Sequence, residues 1–270
     1  GTYRVTVSDK VNPEVYFDQY LGQPNKALEV NATSAPITCA GTKDGKATIT
    51  ASWGTPKSGG TYDYIWKRNE TPIESLTTNS SNTLEAGDYE VTVIDANGCS
   101  ATAKFKIEEP KPITIPENPT IAKVLINGQS TGAISLPDAS GGNGKLEYSW
   151  ASTNVNPAFS STSKDIIGLK AGNYTLTVKD EKSCTASATF TVEENPKLLV
   201  SLAETSSIKC FGYTTGELTA TVTGGAPIYS YEWFKYNGST YDLISKAPDK
   251  ISNQDFGKYK LTITDGVGAI

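Results

Sequence analysis

The side chains of this sequence that could do chemistry are cysteines and carboxylates, because the chain contains no histidine and no methionine. Histidine is the commonest general base, the usual partner of a serine or cysteine nucleophile, and the commonest metal ligand. Most hydrolase and metalloenzyme functions are therefore excluded. The four cysteines are Cys39, Cys99, Cys184 and Cys210.

Four aspartates end four similar segments of the chain, and they are Asp9, Asp95, Asp180 and Asp265. An Asp side chain at such a position bonds the backbone N–H groups of the following turn, and we favour this structural role. The alternative is calcium, but no Asp-x-Asp-x-Asp cluster supports it. Two pairs of neighbouring glutamates would then be further ligands: Glu108, Glu109, Glu193 and Glu194.

A glycosidase would need two carboxylates across a cleft. Here the paired carboxylates fall at the ends of predicted strands and in linkers, and the small β-sandwich that the repeats described below predict has no deep pocket that would raise the pKa of one of them. We expect no catalytic residue, no cofactor and no metal. The chain is predicted not to be an enzyme.

The charge balance narrows the class of partner. The chain has 24 Lys and Arg against 29 Asp and Glu, a formal net charge of -5, with no basic cluster. This composition argues against nucleic acid and against an anionic membrane surface. No apolar run approaches the roughly 18 residues of a membrane span, so no membrane insertion is expected.

One phrase occurs four times and decides the organisation of the chain. It begins at Gly1, Gly87, Gly172 and Gly257, has the form Gly-x-Tyr-x-Val/Leu-Thr-Val/Ile-x-Asp, and repeats every 85 or 86 residues. A second phrase, Gly-Gly followed by Trp, runs from Gly59-Gly60 to Trp66, from Gly141-Gly142 to Trp150 and from Gly224-Gly225 to Trp233. A third, Cys-x-Gly followed by Gly, appears at Cys39 and Cys210, with Ile126 replacing the cysteine in the middle copy.

Proline and charge gather at three linkers, Gly22-Gln-Pro24, Glu108-Glu-Pro110 and Glu193-Glu-Asn-Pro196. They divide the chain into four parts. Residues 1–23 are predicted to be the C-terminal hairpin of a preceding repeat. Residues 24–109 (module 1) and 110–195 (module 2) are complete repeats, and residues 196–270 (module 3) are a repeat lacking its last strand. We therefore expect the chain to be a segment of a much larger protein.

Alternating apolar and polar residues in each copy of the first phrase predict a half-buried strand. Asn97-Gly98 follows that strand and precedes another, which indicates a tight antiparallel hairpin. A Tyr two residues after Gly and a Trp near the middle of each repeat are typical of immunoglobulin-like sandwiches. The predicted fold is therefore all-β, a tandem array of immunoglobulin-like antiparallel β-sandwich modules of about 85 residues. Its predicted core aromatics are Trp66, Trp150, Trp233, Tyr89, Tyr174 and Tyr259.

The aromatic residues around each Trp could instead form a sugar-stacking platform. Within each copy they occupy alternate positions of the strand and therefore face the same side of the sheet. A sandwich needs such a side for its core, so we favour core packing. Phe234 and Tyr236 fall at the intervening positions, which face the other side of the sheet, and are the predicted exposed ligand contacts.

Taken together, the three phrases resemble the SprB-type repeat, which occurs in tandem in gliding-motility adhesins and other very large surface proteins of the Bacteroidota. The resemblance implies a bacterial cell-surface, extracellular location, export by the type IX system, and a role in attachment or gliding. We therefore expect a non-enzymatic adhesin or stalk segment whose partners are neighbouring repeats of the same chain, with surface polysaccharide or other surface proteins as further partners. The alternatives are a glycan-binding module array, or spacer domains of a larger secreted enzyme.

An exported protein is expected to pair its cysteines, and two rules compete. If each module joins its own early and late cysteine, Cys39 pairs with Cys99. If the early cysteine of one module joins the late cysteine of the next, Cys39 pairs with Cys184, and the two missing partners, replaced by Ile126 and Ala269, belong to one bond. The second rule is preferred, and the first remains the alternative.

Overall fold

The computed structural model describes residues 1–23 and 26–270, and the described residues form 22 β-strands and no helix. The predicted boundary after residue 23 adjoins Pro24, which lies outside the described residues. The strands are β1 (Thr2–Val7), β2 (Val15–Tyr20), β3 (Glu29–Ala35), β4 (Gly45–Ser52), β5 (Asp63–Arg68), β6 (Thr71–Pro72), β7 (Ser80–Leu84), β8 (Gly87–Ile94), β9 (Ser100–Ile107), β10 (Thr120–Ala122), β11 (Gly132–Ser135), β12 (Glu147–Ser152), β13 (Phe159–Ser161), β14 (Ile166–Leu169), β15 (Gly172–Lys179), β16 (Thr185–Val192), β17 (Leu199–Ser206), β18 (Gly216–Thr223), β19 (Ser230–Tyr236), β20 (Tyr241–Ser245), β21 (Lys250–Gln254) and β22 (Tyr259–Thr264).

The chain forms two compact units, Gly1–Pro112 and Ile113–Ile270. The first contains the hairpin β1–β2, whose residues are all exposed, and module 1. Module 1 has a three-stranded sheet in the order β3-β4-β7 and a four-stranded sheet in the order β6-β5-β8-β9. All of these strand pairs are antiparallel.

The second unit contains modules 2 and 3. Module 2 repeats the arrangement of module 1, with sheets β10-β11-β14 and β13-β12-β15-β16. Module 3 has β17-β18-β21 and β20-β19-β22, so its second sheet ends at β22 with no strand equivalent to β9 or β16 among the described residues. Two facing antiparallel sheets with this strand order form an immunoglobulin-like sandwich, which confirms the predicted fold class.

The hairpin predicted at Asn97-Gly98 joins β8 and β9, which pair over their full lengths from Gly87↔Ile107 to Ile94↔Ser100. Along β8 the inward side chains Tyr89, Val91 and Val93 are buried, whereas the alternate residues are partly exposed. The period-two pattern of the sequence is therefore the pattern of burial, because successive side chains of a strand point to opposite faces of the sheet.

Each module closes a core of its own around one tryptophan. Trp66, Trp150 and Trp233 are each no more than 1% exposed. Each indole N–H donates to a backbone carbonyl, that of Thr78, Lys164 or Ala247. Burial of so large a ring without an unpaired N–H favours a unique packing arrangement.

A tyrosine corner closes the turn before the second-last strand of each complete module. The Tyr89 hydroxyl donates to the carbonyl of Glu85 at 3.0 Å, and the Tyr174 hydroxyl donates to that of Lys170 at 2.8 Å. Tyr259 makes the same bond to Asp255 at 2.8 Å and packs against the core of module 3, but it is only half-buried. The reason is that no strand flanks β22 on its outer side among the described residues.

The last glycine of the third phrase has a packing role at the start of β4 and β11. A Cβ on Gly45 would lie 2.7 Å from Cγ2 of Ile107, and one on Gly132 would lie 2.6 Å from Cγ1 of Val192. Both partners are the final buried residues of the last strand of their module. Only a residue without a side chain lets that strand end close over the core.

Across the described ranges, no helix is long and apolar enough to cross a membrane.

Candidate functional site: the cysteine-bearing module poles

A buried aspartate ties together the loops at the N-terminal pole of each module, the end where its first strand begins. In module 2, Oδ1 of Asp180 accepts the N–H groups of Lys182 (2.8 Å) and Cys184 (2.9 Å). Its Oδ2 accepts the N–H of Asn143 at 2.7 Å, from the loop before β12. One carboxylate thus fixes both the turn that carries the late cysteine and a loop 37 residues away.

The same aspartate arrangement occurs in the other two modules. Asp95 accepts from Asn97, Cys99 and Thr55, and Asp265 accepts from Val267, Ala269 and Ala226, all at 2.8–3.0 Å. Asp9, in the isolated hairpin, accepts from its own turn, at Val11 and Asn12. In each of the three modules the aspartate forms the turn predicted from the sequence. It also accepts a hydrogen bond from a distant loop, at Thr55, Asn143 or Ala226, which the sequence did not predict.

Backbone N–H donors hold these carboxylates in the charged form. The N–H of Thr55 is the main cause of the lowered pKa of Asp95, and the N–H of Ala226 has this effect on the pKa of Asp265. For Asp180 burial acts to raise the pKa, but the bonds from Asn143 and the following turn outweigh it, and the pKa is lowered. The buried carboxylates are therefore structural acceptors and not poised acids.

The C-terminal pole of each module, where its last strand leaves, carries the early loop between the first two strands. In module 1 the N–H of Gly41 donates to Oε1 of Glu109 at 2.7 Å. In module 2 the N–H of Gly128 donates to Oε2 of Glu194 at 2.7 Å. The glycine of the Cys-x-Gly phrase thus binds the glutamate that follows the last strand, which places Cys39 at the C-terminal pole of module 1.

The predicted calcium alternative gains no support at these poles. Glu109 and Glu194 accept N–H groups, and Glu108 forms an ion pair with Lys106. Within residues 1–23 and 26–270, no group of three or more His, Cys, Asp or Glu side chains could hold a metal ion.

An asparagine takes part in the C-terminal pole of module 2, where the chain passes into module 3. Asn195 is buried; its Nδ2 donates to the carbonyl of Leu125 at 2.7 Å, and its Oδ1 accepts from Nζ of Lys123 at 2.8 Å. Its backbone N–H donates to Val124 at 3.0 Å. At the corresponding point after module 1 stands Pro110, which has no N–H to donate.

The four cysteines fall into two classes. Cys39 and Cys184 are each disulfide-bonded. Cys99 and Cys210 carry free thiols and are exposed. The pairing of Cys39 with Cys184 stays a prediction, while the alternative partner, Cys99, is in the free state.

The structure corrects the sequence alignment of the Gly-Gly pair of module 1 with those of modules 2 and 3. Gly142 and Gly225 pack against Asp180 and Asp265, and the residue that packs in this way against Asp95 is Gly54, not Gly59 or Gly60. Those two glycines turn the chain between Lys57 and Thr61, in an extended loop of module 1. The extra residues of this loop place a second Gly-containing segment between Gly54 and Trp66. The sequence therefore aligned Gly59-Gly60, and not Gly54, with the glycines of modules 2 and 3.

The correct alignment places Trp53 where the other modules have Gly141 and Gly224. All three residues have positive φ, 65° for Trp53, 85° for Gly141 and 75° for Gly224. A bulky residue is rarely found in this conformation. Trp53 is 49% exposed, and Nζ of Lys26 lies 4.2 Å from the centre of its ring.

The predicted ligand contacts Phe234 and Tyr236 lie on β19 and are half-buried. Lysine ammonium groups stand over both rings, Lys260 at 5.5 Å from Phe234 and Lys258 at 5.8 Å from Tyr236. Tyr236 also packs against Tyr241, with 5.2 Å between ring centroids. This arrangement does not favour an open sugar-stacking platform.

Comparison with known families supports the sequence resemblance. Residues 31–71 and 202–240 match the family model described as SprB repeat. Both segments are similar to the SprB repeat. The first SprB match includes the early loop with Cys39, and the second includes the early loop with Cys210. A search of curated proteins gives no match to this chain.

Solved structures similar to this chain include three N-terminal domains of the bacteriophage RB49 highly immunogenic outer capsid protein (20% identity, TM-score 0.36, covering 81% of this chain and 79% of that chain). DIP-gamma IG1+IG2 is similar at 11% identity and a TM-score of 0.34, and the match covers 63% of this chain and 98% of that chain. Extracellular cadherin domains 3–6 of protocadherin gamma B2 are similar at 14% identity and a TM-score of 0.33, and the match covers 98% of this chain and 80% of that chain. The strand order of the two sheets in each module establishes the immunoglobulin-like fold.

Proposed function

We propose that this chain is a non-enzymatic segment of a cell-surface stalk or adhesin, in which sandwich modules follow one another and a disulfide between Cys39 and Cys184 joins modules 1 and 2. The observation that carries the proposal is the placement of the disulfide-bonded cysteines. Cys39 belongs to a C-terminal pole and Cys184 to an N-terminal pole, in modules that follow each other along the chain.

Modules of this kind suit a stalk because each has its own hydrophobic core. Further repeats therefore lengthen the array without changing the fold of any module. Disulfide-bonded cysteines are typical of extracellular and surface proteins, where the environment is oxidising. Export by the type IX system and a part in attachment or gliding follow from the SprB resemblance and belong to the proposal.

A Cys39–Cys184 bond has a mechanical consequence. Force applied to the two ends of the chain would pass through the bond and bypass the residues between its cysteines, which include most of modules 1 and 2. The bypassed segment has about 145 residues, or about 500 Å of extended chain at 3.6 Å per residue.

Single-molecule stretching of the whole chain tests this proposal. We expect reduction with dithiothreitol to lengthen the fully extended chain by about 500 Å, whereas a Cys39–Cys99 bond would release only about 200 Å. The variant Cys39→Ser/Cys184→Ser is the matched control and should have the longer extension with or without reductant. The absence of any change on reduction would refute a Cys39–Cys184 bond that transmits force between the modules.

A further inference from the structure

The linker between modules 2 and 3 is bound to module 2 through every polar group of Asn195. Its Nδ2 donates to the carbonyl of Leu125 at 2.7 Å, and its Oδ1 accepts from Nζ of Lys123 at 2.8 Å. Its backbone N–H donates to the carbonyl of Val124 at 3.0 Å, and its own carbonyl accepts from Nδ2 of Asn127 at 3.1 Å. Asn195 is only 8% exposed, so bending the chain here would leave buried polar groups without partners.

The next residues of the linker are bound to module 3. The carbonyl of Pro196 accepts the N–H of Gly225 at 2.8 Å. The carbonyl of Lys197 passes so close to Gly224 that a Cβ on this glycine would lie 2.0 Å from the carbonyl oxygen. Glycine therefore lets the linker lie directly against a loop of module 3. Pro196 also fixes its own φ and restricts the residue before it to extended conformations, which removes further freedom from the linker.

The side chains that hold this linker are replaced in module 1. The backbone bond from Ile37 to Glu108 corresponds to the bond from Val124 to Glu193, and these bonds align the C-terminal poles of the two modules. In module 2 three aligned positions carry the side chains of the network, and they are Lys123, Asn127 and Asn195. In module 1 the same positions carry residues with no polar side chain, and they are Pro36, Ala40 and Pro110.

The cysteine positions differ in the opposite sense. Cys39 of module 1 is disulfide-bonded, and the corresponding residue of module 2 is Ile126. Cys184 of module 2 is the other bonded cysteine, and the corresponding residue of module 3 is Ala269. Ile126 and Ala269 cannot form a disulfide. The polar network thus stands at the junction where these two cysteines are missing.

We propose that the linker 193–197 is a rigid joint, in which the Asn195 network holds module 3 at a fixed angle to module 2 without a covalent bond. The network has the role at this junction that the disulfide is proposed to have at the preceding one. A reductant therefore loosens the preceding junction and leaves this one rigid. This contrast rests on the proposed Cys39–Cys184 bond, whereas the rigidity of the linker 193–197 does not.

The amide of Gly225 tests the joint, because it belongs to module 3 and its acceptor belongs to the linker. NMR hydrogen exchange on the whole ¹⁵N-labelled chain should show this amide exchanging about tenfold faster in Asn195→Ala, which corresponds to a loss of about 1.4 kcal/mol of hydrogen bonding. Gln129→Ala, at an exposed position of the early loop, is the matched control and should leave the rate unchanged. The Gly268 amide, which bonds Asp265 within module 3 at 3.1 Å, should exchange equally in all variants and so report that module 3 stays folded.

Residual dipolar couplings measure the rigidity of the joint directly. We expect the couplings of modules 2 and 3 in the parent chain to fit one alignment tensor, with or without dithiothreitol. In Asn195→Ala the two modules should need separate tensors. Separate tensors in the parent chain, or an unchanged exchange rate of Gly225 in Asn195→Ala, would overturn the inference.

Non-reducing peptide mapping of the same samples separates this inference from the proposed function. If Cys39–Cys184 peptides are absent while modules 2 and 3 share one tensor and Gly225 responds to Asn195→Ala, the disulfide of the proposed function fails and the rigid joint stands. If the peptides are found but the parent chain needs two tensors, the joint is overturned and the disulfide stands.

Discussion

The hydroxyl of Tyr174 donates a 2.8 Å hydrogen bond to the backbone carbonyl of Lys170, four residues upstream. Tyr89 bonds Glu85 in the same way. Both rings are buried, so replacing either hydroxyl leaves a carbonyl without its donor.

We expect Tyr174→Phe and Tyr89→Phe each to lower the free energy of unfolding of their module by about 1 kcal/mol. Hydrogen exchange of the β15 or β8 amides, measured by mass spectrometry on the whole chain, reads out each module separately. Tyr213→Phe, at an exposed tyrosine, is the control and should leave exchange unchanged. Equal protection in all variants would contradict a stabilising tyrosine corner.

Acid should destabilise the modules through their buried aspartates. The pKa of Asp180 is lowered from its ordinary value of 3.8, as are those of Asp95 and Asp265. A carboxylate with a lower pKa in the folded state contributes stability that is fully present above the unfolded pKa and is lost as pH falls through the folded pKa. We therefore expect the melting temperature to fall steeply below about pH 4.

Asp180→Asn separates this effect from that of other carboxylates. The variant should melt at a lower temperature at neutral pH, because an amide N–H₂ cannot accept the bonds that the carboxylate accepts, and it should show a flatter acid dependence. Glu147→Gln, at an exposed position of β12, serves as the control and should keep the acid dependence of the parent. Parallel curves for Asp180→Asn and the parent would show that this carboxylate does not stabilise the fold.

The cysteine pairing is decided by peptide mapping of the native chain under non-reducing conditions. We expect a Cys39–Cys184 peptide, with alkylation of Cys99 and Cys210 before reduction, in keeping with their free thiols. A Cys39–Cys99 peptide would eliminate the bond between modules. Alkylation of both Cys39 and Cys184 before reduction would eliminate both pairing rules.

Gly132→Ala should destabilise module 2 by about 1–3 kcal/mol, because its new Cβ would lie 2.6 Å from Cγ1 of Val192. Chemical denaturation of the single variants and of Gly132→Ala/Val192→Ala forms a double-mutant cycle. The glycine substitution should cost less in the Val192→Ala background, where the clashing methyl group is gone. Additive effects would mean that the two positions do not compete for space.

Asn195→Ala should loosen the C-terminal pole of module 2, since it removes the side-chain bonds to Leu125 and Lys123. We expect faster hydrogen exchange at residues 124–128 and a loss of about 1 kcal/mol. Gln129→Ala, at an exposed position of the same loop, is the matched control. Unchanged exchange in Asn195→Ala would show that the asparagine does not hold this junction.

The sequence by itself determined the repeat, the strands and the core aromatics of the complete modules. Alternation along β8 is local information, because a strand turns each successive side chain to the opposite face. The recurrence of Trp66 and Tyr89 in later modules likewise predicted where buried rings would lie, and the SprB resemblance rested on the same phrases.

Tertiary structure decided which loops meet. The bond from Thr55 to Asp95 spans 40 residues, and that from Gly41 to Glu109 spans 68. Such contacts depend on how the sheets stack and on loop lengths that differ between modules, so a single sequence did not reveal that Gly54, and not Gly59-Gly60, packs on Asp95. The half-buried state of Tyr259 has the same origin, since burial there depends on a neighbouring strand and not on the tyrosine's own segment.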